Sequence, residues 1–168
     1  MRNLPEEERE AAREEARPYE RGCILNFLDH CDENGWMPFI IEGIPSGLKI
    51  LDKPADIYAE NMHKPCLAQH AALLVREEGG DAGWLRPLFG KLEAFLENYY
   101  RHHRHEATGL YYWQTDLAIG VDNDPCTFFR PAKSSASIYL NCMMHQELRD
   151  AAYLAVCQGN AGDFVREQ

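Results

Sequence analysis

The chain has 168 residues, of which 45% are hydrophobic, and its formal charge at pH 7 is −10. A chain of this length fits a single domain with a substantial core. The negative charge argues against nucleic acids and anionic membranes, which both need a basic partner surface. No apolar run approaches the roughly 20 residues that span a bilayer. The charged stretch MRNLPEEERE lacks the apolar region of a signal peptide, so we expect a cytoplasmic protein.

Helical periodicity begins at the N-terminus. Asn3 and Glu6 resemble a capping box, with Pro5 in the first turn of a charged helix that reaches about Arg17. A second helix with a clearer apolar face begins near Tyr19 and ends before Gly35; its apolar residues are Cys23, Ile24, Phe27, Leu28 and Cys31. The long loop over 35–61 contains Pro and Gly and is typical of a functional loop.

Three further helices follow, each with an apolar stripe. Pro65 suits the first turn of one that Gly79 and Gly80 end; its stripe is Leu67, Ala71, Leu74 and Val75. The next ends in RHHRH at 101–105, and its stripe is Leu85, Leu88, Phe89, Leu92, Phe95, Leu96 and Tyr99. Ser134 or Ser135 caps the last, whose stripe includes Leu140, Met144 and Leu148. No strand pattern persists, and the predicted fold class is all-α.

Residues 111–131, YYWQTDLAIGVDNDPCTFFRP, follow neither a helical nor a strand period. Asp116, Asp122 and Asp124 lie here among aromatic residues. An aspartate beside aromatic rings is desolvated, which raises its pKa and suits a general acid. Aromatic faces combined with Asp, Asn and Arg also bind sugars. The alternative is structural, with the aspartates capping their own loop as Asx-turns.

Other patterns favour structural roles. The three histidines within 101–105 cannot all face one metal ion from a helix, so we expect a solvated helix end. DNDP lacks the glycine and terminal glutamate of a calcium loop. Cys126 lacks the strongly basic surroundings of a nucleophile. The six cysteines form no Cys-x-x-Cys pair, and we expect reduced, mostly buried thiols, with disulfides as the alternative.

A family resemblance separates the two interpretations of the 111–131 loop. The stretches GLYYWQTDLAIGVDNDP, RP and SSASIYLNCMMHQEL follow in the order seen in six-hairpin inverting glycosidases. Upstream, DENGWMPF and NMHKPCLAQHAAL resemble the loop and inner-helix start that line the same pocket. From about Tyr19 to Ala155 the chain is similar to the mannosyl-oligosaccharide glucosidase and mannosylglycerate hydrolase-like family. The resemblance implies a fragment of an (α/α)6 barrel, a sugar or oligosaccharide substrate, and no metal or other cofactor.

Carried onto this sequence, the resemblance implies that Asp122 is the general acid. Gly120 then lets the backbone approach the sugar, and Asn123 orients the turn. The remaining implied pocket residues are Trp113, Arg130, Lys64 and Trp36. Lys64 replaces the Gln that the family places before the first Pro of that helix. The loops before Lys64 and Ser134 should meet at one end of the helices, where Asp122, Trp113 and Trp36 line one concavity.

The chain has room for about five helices, fewer than a complete barrel. The family's general base, a downstream glutamate, has no counterpart here, although inverting hydrolysis needs two carboxyl groups. We therefore expect a fragment of an enzyme acting on α-glucosides or α-mannosides, inactive alone and self-associating through exposed apolar flanks. Residues 1–18 would be a charged helix and 19–168 a partial catalytic domain. The alternatives are a non-catalytic carbohydrate-binding protein and a helical interaction protein derived from that fold.

Overall fold

A computed structural model describes residues 5–41, 62–121 and 124–159, without the side chains of Asp116 and Leu117. Its helices are α1 (Glu6–Asp29), α2 (Leu67–Glu77), a 3₁₀ helix (Gly83–Leu88), α3 (Phe89–His102), α4 (Asp116–Ile119) and α5 (Ile138–Cys157). Within these ranges the only β-structure is a set of isolated bridges. The predicted all-α fold class is confirmed. In the described ranges, no helix combines the length and apolarity that crossing a membrane would require.

The N-terminal helical region is one element. Helix α1 runs through Pro18, so the predicted end near Arg17 and new start at Tyr19 are wrong. A proline removes one internal hydrogen bond, but its φ is compatible with a helix. Burial of Ile24 and Leu28 then stabilises the C-terminal half. Asn3 of the predicted capping box lies outside the described residues, and the division into 1–18 and 19–168 remains a prediction.

Helix α5 begins at Ile138, and its N-cap is Ser137 rather than Ser134 or Ser135. The Ser137 Oγ accepts a hydrogen bond from the Leu140 amide at 3.3 Å. Three serines within four residues give the same local signal, because each could satisfy a free amide of a first helical turn. Ser137 is the cap because the helical backbone begins at the next residue, Ile138.

Helix α2 packs antiparallel to α1 and parallel to α5. Near its C-terminal end, Glu78 pairs with Arg21 of α1 at 2.7 Å. At its N-terminal end, the Ala68 amide donates to Glu147 of α5 at 2.7 Å, and further along Arg76 pairs with Asp150 at 2.6 Å. The start of α2 differs slightly from prediction, since the helix begins two residues after Pro65. Its predicted stripe is buried: Leu67, Ala71, Leu74 and Val75.

Helix α3 runs beside α1 and antiparallel to α2. Near its start, the Lys91 Nζ donates to the Cys31 carbonyl at 2.6 Å. Near its end, the Tyr99 hydroxyl donates to the carbonyl of His63, just before α2, at 2.9 Å. Helix α2 is therefore antiparallel to both α1 and α3, and α5 is parallel to α2.

All six cysteines are free, but the expectation that most are buried is wrong. Cys31 is buried, Cys66 and Cys157 are partly buried, and the rest are exposed: Cys23, Cys126 and Cys142. Cys23, predicted on an apolar face, is exposed on α1, Cys142 is exposed on α5, and Cys126 lies on the 111–131 loop. Burial raises the pKa of the Cys31 and Cys66 thiols to about 11, which keeps both protonated near pH 7.

Candidate functional site

The segments that precede α2 and α5 meet around Trp113, as predicted. Trp113 pairs with Ser135 through an isolated bridge, and its indole Nε1 donates to the Ser137 Oγ at 3.1 Å. On the other side, the Nζ of Lys64 lies 6.0 Å from the centroid of the Trp113 ring. One buried aromatic residue thus joins the starts of two adjacent helices, and it is only 2% exposed.

Lys64 lies between two aromatic rings and a glycine. Its Nζ is 5.8 Å from the centroid of Phe39 and 6.0 Å from that of Trp113, within the range of cation–π attraction. Desolvation lowers the pKa of the Lys64 ammonium. This amine is a hydrogen-bond donor at the end of the bundle where Trp113 and Gly120 also lie.

Gly120 ends the short helix α4 with a left-handed backbone, φ 72°. A Cβ at this position would lie 3.3 Å from the Lys64 Cε and 3.7 Å from its Nζ. Both the backbone conformation and the close approach therefore favour glycine. The sequence predicted that Gly120 makes room for a sugar; the neighbour that the structure places there is Lys64, and the sugar contact remains a prediction.

The loop containing Trp36 lies beside this site. Asp32 accepts hydrogen bonds through Oδ1 from the amides of Asn34 and Trp36, at 2.8 and 2.9 Å, which fixes the loop after α1. The His63 amide then donates to the Met37 carbonyl at 2.9 Å, so the loop pairs with the segment before α2. The Trp36 side chain is partly buried and packs against the core.

Among the described residues of this loop, Phe39, three residues after Trp36, is the aromatic residue that reaches Lys64. The sequence analysis did not assign Phe39 to the site. The signal was present in DENGWMPF, which resembles a pocket-lining loop, but which of its aromatic side chains faces the pocket depends on the path of the backbone. Residues 42–61 of the same predicted loop lie outside the described residues.

The turn after Gly120 is described only in part. Asp122 and Asn123, the predicted acid and its neighbour, lie outside the described residues. Asp124 accepts a hydrogen bond through Oδ1 from the Cys126 amide at 2.7 Å, which is the Asx-turn geometry proposed as the structural alternative. Arg130 is exposed, and its Nε donates to the Pro125 carbonyl at 3.4 Å, within its own loop. The described hydrogen bond of Arg130 is therefore within its own loop, and its sugar contact remains a prediction.

Two residues of the motif SIYLN hold the aromatic loop in place. Asn141 accepts from the Tyr111 amide at 2.9 Å and donates to the Tyr111 carbonyl at 3.0 Å. Ser137 accepts from the Trp113 indole while it also caps α5. The sequence motif therefore has a structural basis that the sequence analysis did not identify, because these hydrogen bonds join residues 24 and 30 positions apart.

The helix end RHHRH is not uniformly solvated, so that prediction is wrong for His103. His102 and His105 are exposed, but His103 is buried, with its ring centroid 4.6 Å from that of Tyr99 and 6.5 Å from that of Tyr112. Desolvation lowers the pKa of His103 to about 4. The backbone turns at the C-terminus of α3 and directs this one side chain inward. Across the part of the chain that the structure describes, no three His, Cys, Asp or Glu residues are grouped as metal ligands.

Comparison with known proteins gives one match. The mannosylglycerate hydrolase MGH1-like glycoside hydrolase domain matches residues 19–163. No curated protein and no solved structure matches the chain significantly. The matched range includes all the site segments described above, and the paired antiparallel helices agree with part of a glycosidase α/α toroid. The chain therefore belongs to the MGH1-like glycoside hydrolase family.

Proposed function

We propose that this chain is part of an inverting glycosidase that acts on α-glucosides or α-mannosides in the cytoplasm. Membership of a glycoside hydrolase family supports cleavage of a glycosidic bond. The observation that favours this particular site is the convergence of Lys64, Trp113 and Gly120 in space, since Gly120 lies two residues before Asp122 in the chain. An aromatic face beside a hydrogen-bond donor is a common way to bind a sugar ring.

In this proposal Asp122 protonates the glycosidic oxygen as the bond to the anomeric carbon breaks. A second carboxylate, about 6.5–9.5 Å away, activates water on the opposite face of the sugar. We assign the base to a glutamate outside the helices described here. Glu147, the most deeply buried carboxylate described, is unsuitable because its two oxygens already accept from backbone amides. Substrate contacts are assigned to Gly120, Asn123 and to the side chains Trp113, Arg130, Lys64 and Trp36.

Sugar binding by the chain itself can be tested by isothermal titration calorimetry with methyl α-glucoside, methyl α-mannoside and mannosylglycerate. We expect binding of at least one ligand, and we expect Lys64→Met to weaken it. Lys133→Met removes an exposed lysine and is the matched control. Absence of binding to all three sugars, or an equal effect of both variants, would contradict the proposed site.

The role of Asp122 is tested in an enzyme whose α/α toroid contains both Asp122 and the glutamate that acts as general base. Asp122→Asn should reduce turnover by at least about 10²-fold, the usual contribution of general acid catalysis. Asp124→Asn is the control, since Asp124 is assigned to the turn rather than to the chemistry. Near-normal hydrolysis of natural substrates by Asp122→Asn would remove Asp122 from the mechanism. Sugar binding without turnover in a complete toroid would favour the alternative of a carbohydrate-binding protein.

A further inference from the structure

Glu147 is a carboxylate of α5 whose two oxygens accept hydrogen bonds from the backbone of α2. The residue is 0% exposed. Its Oε1 accepts from the Ala68 amide at 2.7 Å and its Oε2 from the Gln69 amide at 3.2 Å. These amides belong to the first turn of α2, whose N-cap residue, Cys66, provides no side-chain hydrogen bond. A residue of the neighbouring helix therefore caps α2.

The physical reason is the polarity of a helix start. The first amides of a helix have no carbonyl partner within it, and they lie at the positive end of the helix dipole. A buried carboxylate that accepts from two such amides forms charge-assisted hydrogen bonds, which offset part of the cost of its desolvation. Truncation of the Glu147 side chain would leave both amides without this acceptor inside the α2–α5 interface.

The residues just before this capped turn hold Lys64. On one side, the His63 carbonyl accepts from the Tyr99 hydroxyl of α3 at 2.9 Å. On the other side, the Pro65 carbonyl accepts from the Gln69 Nε2 at 3.3 Å. Lys64 lies between these two anchors. The second anchor depends on the turn that Glu147 caps, because Gln69 is part of that turn.

We propose that Glu147 is a positioning residue for Lys64: by capping α2 from α5, it fixes the segment 63–66 and holds the Lys64 amine between Phe39 and Trp113. The inference rests on the proposed role of Lys64 in sugar binding. Glu147 touches no substrate in this proposal and acts through the backbone of α2. The effect of this cap on the site is local, because the segment 63–66 contains Lys64.

Asp150 provides a matched control one turn further along α5. It is also buried, at 3% exposed, and it accepts from Arg76 at 2.6 Å and from Gln146 at 2.7 Å. Arg76 lies in the last turn of α2, at the end away from Lys64. Asp150→Asn therefore perturbs the same helix pair without altering the capped turn.

The experiment measures the environment of Lys64 without any sugar. The chain contains five lysines, so NMR of protein labelled with ¹³C at lysine Cε can follow each one, and Lys64→Arg assigns the signal. In Glu147→Gln, one oxygen acceptor is lost. We expect the titration midpoint of Lys64 to rise towards the ordinary lysine value, because the released amine is better solvated. Asp150→Asn should leave the Lys64 midpoint unchanged, even where it lowers the melting temperature.

An unchanged Lys64 midpoint in Glu147→Gln would overturn the proposal, and so would an equal shift in Asp150→Asn. If Glu147→Gln does not fold, Glu147→Asp is measured instead; it keeps the charge but is too short to reach both amides, and the same two outcomes apply. Because no sugar is present, a failure here is distinct from a failure of the proposed function, which the sugar titrations test separately.

Discussion

At the scale of single residues, Trp113 makes two different interactions, a hydrogen bond and a cation–π contact. Its indole nitrogen donates to Ser137, which is a structural hydrogen bond, and its ring faces the Lys64 amine. The described residues of the 111–131 loop therefore have structural roles. Trp113 joins the helix starts, Tyr111 is held by Asn141, and Asp124 caps its own turn.

Ser137→Ala should destabilise the protein through two losses. The helix loses its cap, at about 1 kcal/mol, and the buried Trp113 indole loses its acceptor, at roughly 1–3 kcal/mol. The free energy of unfolding in urea measures the sum. Ser134→Ala is the control, because the exposed Ser134 hydroxyl donates only to the Pro131 carbonyl of its own loop. Equal destabilisation by both variants would contradict the assignment of Ser137 as the cap and indole acceptor.

Gly120→Ala should impair sugar binding as well as stability. Gly120 and Gly79 both have left-handed backbones, with φ of 72° and 69°, so alanine is strained at each by about 1–2 kcal/mol. Only at Gly120 would the new methyl group crowd Lys64; at Gly79 nothing lies within 4 Å. Denaturation should therefore show comparable strain in both variants, while calorimetry shows weaker sugar binding only in Gly120→Ala. Unaltered sugar binding by Gly120→Ala would show that Gly120 is not part of the sugar-binding site.

At the scale of elements, the contact between α2 and α5 contains buried charge. Desolvation is the largest influence on Glu147 and raises its pKa to about 7, although the amides of Ala68 and Gln69 act in the opposite direction. The carboxyl is thus more easily protonated in the folded protein than in the unfolded chain, where its pKa is about 4.5. Its contribution to stability is fully present below pH 4.5 and is lost as the pH rises through 7.

Glu147→Gln should therefore change the pH dependence of stability. Relative to the wild type, the variant should gain stability as the pH rises from about 4.5 to 8, with a total change on the order of 3 kcal/mol. The loss of one hydrogen bond also lowers the free energy of unfolding of the variant, by an amount that does not vary with pH. Urea denaturation across this range measures the slope of the difference, in which the titration of other groups cancels. Parallel curves would contradict a buried, titrating Glu147.

His103 should give the opposite sign. Its pKa in the folded protein is lowered to about 4, from 6.5, so the unfolded chain binds the proton first as the pH falls. Stability is lost between about pH 6.5 and 4. His103→Phe keeps a ring between Tyr99 and Tyr112 and should reduce this loss, measured by thermal unfolding at each pH. His102→Phe removes a neighbouring charge that also lowers the His103 pKa, but not the burial that lowers it most, so it should reduce the loss less than His103→Phe does; an equal effect of the two variants would refute the burial argument.

At the scale of the whole molecule, α5 leaves a large apolar residue exposed at each end. Ile138 is 82% exposed and Val156 is 58% exposed, and the exposed residues His145 and Arg149 lie between them on the same face. Exposed apolar side chains contribute to association surfaces. We expect the purified chain to self-associate, and Ile138→Lys to shift it towards monomer in light scattering after size exclusion. Tyr19→Lys, at a position 75% exposed on α1, is the control. A monomeric wild type would contradict this expectation.

The chain by itself should not hydrolyse glycosides. In our proposal it supplies the acid but not the base, and without an activated water the oxocarbenium-like transition state has no nucleophile on its far face. Size-excluded protein is assayed on α-glucosides, α-mannosides and mannosylglycerate. Turnover that Asp122→Asn abolishes would prove this prediction wrong, because a base would then be present in the chain or in an associated copy.

The sequence by itself determined the all-α class and the buried stripes of α2 and α3. Helical periodicity is a property of consecutive residues, so a stripe is visible without knowledge of its partner. The ordered motifs also indicated the glycosidase family and the end of the helices at which the site segments meet. Lys64, Trp113 and Gly120 come together there as their motifs implied. Trp36 contributes to this end through its loop, and its ring packs against the core.

Only the tertiary structure decided which equivalent local signals are used. Ser137 rather than its neighbours caps α5, Phe39 reaches Lys64, and His103 turns inward from an otherwise solvated helix end. Glu147 gave no local signal at all, since it caps amides that precede it by 79 and 78 positions. Such contacts depend on how helices distant in sequence pack together. The periodicity of one helix carries no information about the polar groups that its neighbour must satisfy.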